Sequence, residues 1–186
     1  MVPPPSILPD RPADWSARRA GGVSIALENS AQATHTNWQD LDPRQVQLAT
    51  SHDWLGLWDE LSGGHGEPPT RAALNLPAQR PALCKLALWI QLLDDGDYLF
   101  RIAGEEVRQR FGARLAGRRL SELPLGEDAH DIRRCYQAAE RTRAPTCARG
   151  FYDFGQGPET RWEACFLPFT GAESRVGYLL AGLAYA

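Results

Sequence analysis

The sequence lacks several features that would assign it quickly. No window of about 18 consecutive apolar residues exists, so a membrane-spanning helix is not expected. The opening residues, MVPPPSILPD, lack the basic-then-apolar pattern of a secretory signal, and a cytoplasmic location is the expectation. The four cysteines, Cys84, Cys135, Cys147 and Cys165, form no C-x-x-C pair and have no histidine at metal-ligand spacing. They suggest neither zinc nor a redox dithiol and read as buried reduced thiols. Charge of one sign is also missing: 20 Lys and Arg stand against 23 Asp and Glu, a net charge of -3 that gives no electrostatic reason to expect nucleic acid or an anionic membrane as partner. G-x-S-x-G, H-E-x-x-H and a phosphate-cradling glycine loop are all absent, so a self-contained enzyme is not the expectation.

What is present is an ordinary globular composition. Of 186 residues, 43% are hydrophobic and 23% charged, enough for one core. Residues 1–44, with Pro3, Pro4, Pro5, Pro9 and Pro12 followed by a polar stretch, read as a flexible tail, and 45–186 as a single domain. Leu48, Trp54, Leu55, Leu57, Trp58 and Leu61 predict a helix, with Thr50 and Asp53 as its capping pair and Gly63-Gly64 as its end. Gly66, Pro68, Pro69, Pro77 and Pro81 then forbid a long helix and predict an extended connection over the surface.

Residues 84–93 and 97–102 alternate as strands around Asp94-Asp95-Gly96, a hairpin signal. Parity requires a three-residue loop with Gly96 left-handed if Leu92 and Ile90 are to align with Tyr98 and Phe100. That register puts Arg101 on the same face as Trp89, where a guanidinium over the indole is expected. Residues 104–111 predict a short helix closed by Gly112. Residues 127–142 predict a longer one with Ala129, Ile132, Cys135, Tyr136 and Ala139 on one apolar stripe. Strands over 146–154, 160–168 and 175–184 complete the chain, the first two joined by a turn at Gly155-Gln156-Gly157-Pro158. Terminal strands flanking a helical middle imply an α+β domain built on an antiparallel sheet.

The run LLDDGDYLFRIAGEEVRQRFGARLAGRRLSEL, with its G-x-x-x-x-G-[RK]-x-[LF] turn from Gly112 to Leu120, resembles the first hairpin and helices of a PAS domain. The Trp-rich helix, Pro69-Thr70-Arg71 and R-W-E-A-C-F-L-P-F resemble a stand-alone bacterial PAS subfamily of alphaproteobacterial type. The resemblance, over about residues 47 to 184, implies a five-stranded antiparallel sheet of order 2-1-5-4-3, helices packed on one face, and a sensory or regulatory role through a small ligand, a signalling protein partner or a homodimer. The cofactor stays unknown. His130, on the helix where some haem-binding relatives carry the iron ligand, lies about 160° from the apolar stripe, so haem is not expected. The stretch AGRRLSEL has no cysteine for a covalent flavin adduct.

Ile90, Phe100, Tyr136, Trp162 and Phe166 are the candidate lining of a ligand pocket, the same pattern also describing a filled core. Trp54, Trp58, Leu61 and Trp89 are the candidate interaction residues, either for dimerisation or for covering the outer sheet face within the chain. Arg161 and Glu163, opposite Trp162, Ala164 and Phe166 on one strand, read as a solvated face, with a contact to the N-terminal helix as the alternative. A ligand-free interaction adaptor is the alternative function. A small enzyme using Tyr152, Asp153, Glu163 or Tyr178 is a further one.

Overall fold

The computed structural model describes residues 36–111, 115–125, 128–152, 160–171 and 174–186. Six strands, β1 (Thr36–Leu41), β2 (Ala87–Leu92), β3 (Tyr98–Ala103), β4 (Thr146–Tyr152), β5 (Thr160–Thr170) and β6 (Val176–Tyr185), form one sheet. Its order is β1-β4-β5-β6-β2-β3, and every neighbouring pair is antiparallel. The five strands from β2 onward keep the expected 2-1-5-4-3 order. A sixth is added at the β4 edge by residues 36–41, which the sequence reading placed in a flexible tail. That segment has little pattern of its own because an edge strand takes its order from its partner's hydrogen bonds, here along β4.

Alternation along the strands divides the core in two. On one face Leu88, Ile90, Phe100, Trp162, Ala164, Phe166 and Ala181 pack beneath α3 (Glu105–Phe111) and α4 (Asp128–Thr142), which contribute Val107, Tyr136 and Ala139. On the other, Trp89, Cys165, Leu167, Phe169 and Leu180 pack beneath α1 (Ala49–Ser62) through Trp54, Leu57 and Trp58. A four-residue helix, α2 (Leu76–Gln79), and flanking 3-10 turns carry the chain from α1 to β2. The last of these turns, Pro81–Leu86, takes Cys84, Lys85 and Leu86 out of the strand expected from residue 84. Pro68 and Pro69 are buried, and the Pro69 carbonyl accepts from the Thr170 amide at 2.9 Å, tying this connection to the end of β5.

The β2–β3 hairpin has the anticipated register, with Leu92 opposite Tyr98 and Ile90 opposite Phe100. The Leu93 amide donates to the Asp97 carbonyl at 2.9 Å, leaving Asp94, Asp95 and Gly96 as the loop, and Gly96 is left-handed at φ 81°. Beyond this the pairing shifts: Trp89 opposes Ile102, so Arg101 is the extra residue of a bulge. The cation over Trp89 is Arg71, 4.9 Å from the ring, in place of the expected Arg101. The connection before β2 delivers it.

Helix α1 ends as expected. Gly63 is left-handed at φ 65°, its amide donates to Glu60 and that of Gly64 donates to Asp59. The expected cap at the other end is not used, since Thr50 and Asp53 lie inside the helix and the N-cap residue, Leu48, has no capping side chain. The helix lies flat on the sheet because Gly182 has no side chain. A Cβ there would stand 2.3 Å from the Trp54 ring. Trp54 is fully buried and its indole N–H donates to the Leu183 carbonyl at 3.2 Å, while the Trp58 N–H donates to the Pro168 carbonyl at 2.8 Å.

Gly182→Ala is therefore expected to displace the indole and destabilise the fold by about 2 kcal/mol, the usual cost of overpacking a closed contact. Urea unfolding followed by tryptophan fluorescence will show it, together with greater exposure of Trp54 in the native state.

Candidate functional site

The cavity lies between the sheet and α3/α4. Phe100, Trp162, Phe166 and Leu183 rise from the strands around Ala164 and Ala181, and Val107 and Phe111 of α3 and Ile132 and Tyr136 of α4 close over them. The two alanines create the space. Ala164 pairs with Leu183 and Ala181 with Phe166, so each methyl sits beside a large neighbour and leaves volume above it. The cavity measures about 90 Å³, several times what a single water needs. Every side chain lining it is aliphatic or aromatic.

Its walls are fixed by ring contacts. Tyr136 meets Tyr98 edge-on at 5.0 Å and Phe166 at 5.3 Å, and Trp162 packs against Trp38 of β1 at 4.8 Å. At the β6 end the Arg110 guanidinium lies 3.9 Å from the centre of the Tyr185 ring. A polar bracket joins the hairpin to the helical layer. Asp97 accepts from its neighbour's amide at Tyr98 (2.9 Å), from Ser121 Oγ (2.6 Å) and from Arg133 (3.3 Å), and Arg133 also donates to the Gly96 carbonyl at 3.0 Å. Burial raises the Asp97 carboxyl, but the bonds from Ser121, the Tyr98 amide and Arg133 outweigh it and hold the group below its ordinary value.

Four of the five expected pocket residues, Phe100, Tyr136, Trp162 and Phe166, line this cavity together; Ile90 is fully buried in the core beside it. Trp38 also lines it and was not among the expected lining residues, because it comes from the segment read as a tail. Its signal in the sequence is a single aromatic in a short polar stretch. The expected interaction residues Trp54, Trp58 and Trp89 are buried on the opposite sheet face, with Leu61 packed against them, so that aromatic surface is used within the chain.

The chemical candidates separate by face. His130 is exposed on α4, and His52 and His65 are exposed as well, so none of the three lines the cavity. His35 lies outside the described residues, as do Asp153, the Tyr152 side chain, Gly112 and the Gly155–Pro158 turn. Among the described residues no group of three or more His, Cys, Asp or Glu is placed to hold a metal ion. Cys135 is buried, and desolvation followed by the charge on Asp40 pushes its thiol up to about 12, which keeps it protonated at neutral pH. Tyr178 stacks on Trp89 at 5.7 Å, on the face away from the cavity.

Glu163 corrects the sequence reading most sharply. The solvated strand face expected around it is buried, and Glu163 itself is 0% exposed. Its carboxylate accepts from the amides of Gln47 (3.0 Å) and Leu48 (3.0 Å), from Ser51 Oγ (2.7 Å) and from Arg161 (3.2 Å). A strand residue thus caps the N-terminus of α1, in place of the local pair. Cys147 and Cys165 are buried free thiols, as expected, and strand register opposes them on β4 and β5 with their sulfurs 3.3 Å apart.

An antiparallel sheet with helices packed on it and an apolar cavity on one face makes this an α+β domain. The chain belongs to the PAS domain family, whose model matches residues 39–183. The match fits the added first strand, since it begins inside β1. No curated protein and no solved structure matches the chain. PAS domains are sensory or regulatory modules and in general not catalysts. Among the described residues no helix is long and apolar enough to cross a membrane.

Burial would push the Glu163 carboxyl up, but the bonds from Leu48, Ser51, Gln47 and Arg161 outweigh it and hold the group below its ordinary value. The stability it contributes is therefore fully present above the unfolded-state value of about 4.3 and is lost as pH falls through the folded-state value. Glu163→Gln is expected to cost about 2–3 kcal/mol at neutral pH. The gap to the parent protein should narrow on acidification, which urea titrations across pH 3–7 will measure.

Proposed function

We propose that this protein is a sensor that binds a small uncharged apolar molecule in the cavity beneath α3 and α4 and reports occupancy through α1 to a protein partner. The observation that carries this reading is the cavity itself, about 90 Å³ and lined by aliphatic and aromatic side chains. Such a site rejects charged ligands, whose desolvation it cannot offset, and accepts a single aromatic ring or a short alkyl chain. Catalysis is not part of the proposal, because no acid and base converge on the cavity among its lining residues.

Strand β5 offers the route for the signal. Trp162 and Ala164 border the cavity, and Glu163 between them holds the N-terminus of α1. A ligand that shifts β5 therefore has a differential contact with α1, as a population shift requires. Any output passes to another protein, and a homodimer is one form that partner takes in this reading. The adaptor alternative is less well supported, because the Trp54, Trp58 and Trp89 surface it would use is buried within the chain.

The test is a thermal-shift titration with indole and other uncharged monocyclic probes, alongside mass spectrometry of what the native protein releases on denaturation. Indole at about a hundred times its dissociation constant should raise the melting temperature by about 5 °C. Ala181→Leu, which fills the cavity, should abolish that shift and leave the fold intact by circular dichroism. No shift with any probe, and no released molecule, would overturn the ligand reading.

A further inference from the structure

We propose that Cys147 and Cys165 form a reversible disulfide, and that seating of α1 on the sheet governs when it forms. The two residues are direct register partners on β4 and β5, with their Sγ atoms in contact at 3.3 Å. Opposed residues on antiparallel strands hold their Cα atoms about 4.5–5.5 Å apart, inside the range of about 4.4–6.8 Å that a disulfide spans. Closing the sulfurs to about 2.0 Å therefore needs side-chain rotation and no movement of the chain. The other two cysteines are placed elsewhere: Cys84 Sγ lies 3.9 Å from the Arg80 carbonyl and Cys135 Sγ 3.8 Å from Asp40 Oδ1, the latter on the opposite face of the sheet.

The oxidant this chemistry needs is hydrogen peroxide. One thiolate attacks the peroxide oxygen and the O–O bond breaks, giving a sulfenic acid and, after proton transfer, water. The second thiol attacks the sulfenic sulfur, the S–S bond forms, and the S–O bond breaks with loss of a second water. Two thiols are oxidised by two electrons and one peroxide is reduced. A small dithiol reverses the step by exchange.

The gate follows from what covers the pair. Both cysteines are buried, and Cys165, beneath α1, donates its S–H to the Ser51 carbonyl of that helix at 3.8 Å. The hydrogen bond with Cys147, and after it burial, push the Cys165 thiol well above its ordinary value, and the seated helix, by supplying part of that burial, keeps the thiol from water and peroxide. Glu163, two residues before Cys165 on β5, holds the helix in place through Leu48, Gln47 and Ser51. Each release of α1 exposes the thiols to peroxide, and the disulfide records that release.

The test is exposure of the full chain to hydrogen peroxide, blocking of remaining thiols with maleimide in denaturant, and a non-reducing peptide map. The expected result is one linked pair, Cys147–Cys165, reversed by dithiothreitol and absent from Cys147→Ala. Glu163→Gln and Ser51→Ala should form it roughly tenfold faster, as the loss of one charge-assisted hydrogen bond predicts. Native-state alkylation of Cys135 should stay at its parental rate, since Cys135 belongs to α4, on the sheet face opposite α1. Recovery of both thiols free, as unlinked sulfinic acids, or linked to Cys84 or Cys135 would overturn the pair, and the parental map decides this even if Cys147→Ala does not fold. Equal rates in both gate variants and the parent, or equal acceleration at Cys135, would overturn the gate.

Discussion

A carboxylate buried in the middle of a central strand costs several kcal/mol unless its charge is met. At Glu163 it is met by two backbone amides, a serine hydroxyl and an arginine, three of these four donors belonging to the segment that starts α1. The arrangement resolves two difficulties together. The helix gains an acceptor for amides that no residue in its own sequence satisfies, and the sheet gains a cover for a face that would otherwise present Trp89, Leu167 and Phe169 to water. Without the helix the charge is stranded, and without the charge the helix start is uncapped. The second half of the core depends on that pairing.

The sheet consequently serves two layers with different characters. Toward α3 and α4 it is aromatic and leaves a gap; toward α1 it is tightly packed, with Trp54 lying against the bare backbone of Gly182. Adjacent residues of β5 face opposite layers, so a displacement of a few tenths of an ångström in that strand is felt on both sides at once. The cavity, the capped helix and the opposed thiols are all built on this one strand.

The sequence exposed those parts of the fold that depend on near neighbours. The hairpin was legible because parity and one glycine fix its register, and α4 because its apolar stripe is unbroken. Phe100, Trp162 and Phe166 stood out by strand alternation and Tyr136 by its place on the helical stripe, a pattern that also describes a filled core. What escaped depends on distant partners. Glu163 is a cap only because residues 112 to 116 positions earlier are folded against it, and nothing in R-W-E-A-C indicates that. Cys147 and Cys165 are a pair only through strand register, and Trp38 is a wall only because β4 orders β1. The cavity is what packing leaves over, which no local pattern encodes.

The strand order also governs how the molecule must assemble. β2 finds one of its partners in β6, β1 finds its partner in β4, and α1 rests on β5 and β6, so nearly every early element is completed by a late one. Neither the pairing of β2 to the rest of the sheet nor the β5–β6 pairing can form before residues 176–185 are available. During synthesis the first hundred residues, including three tryptophans of α1 and β2, therefore wait as exposed apolar chain. A domain of this topology is expected to fold slowly, and its demand on cellular chaperones is set by connectivity.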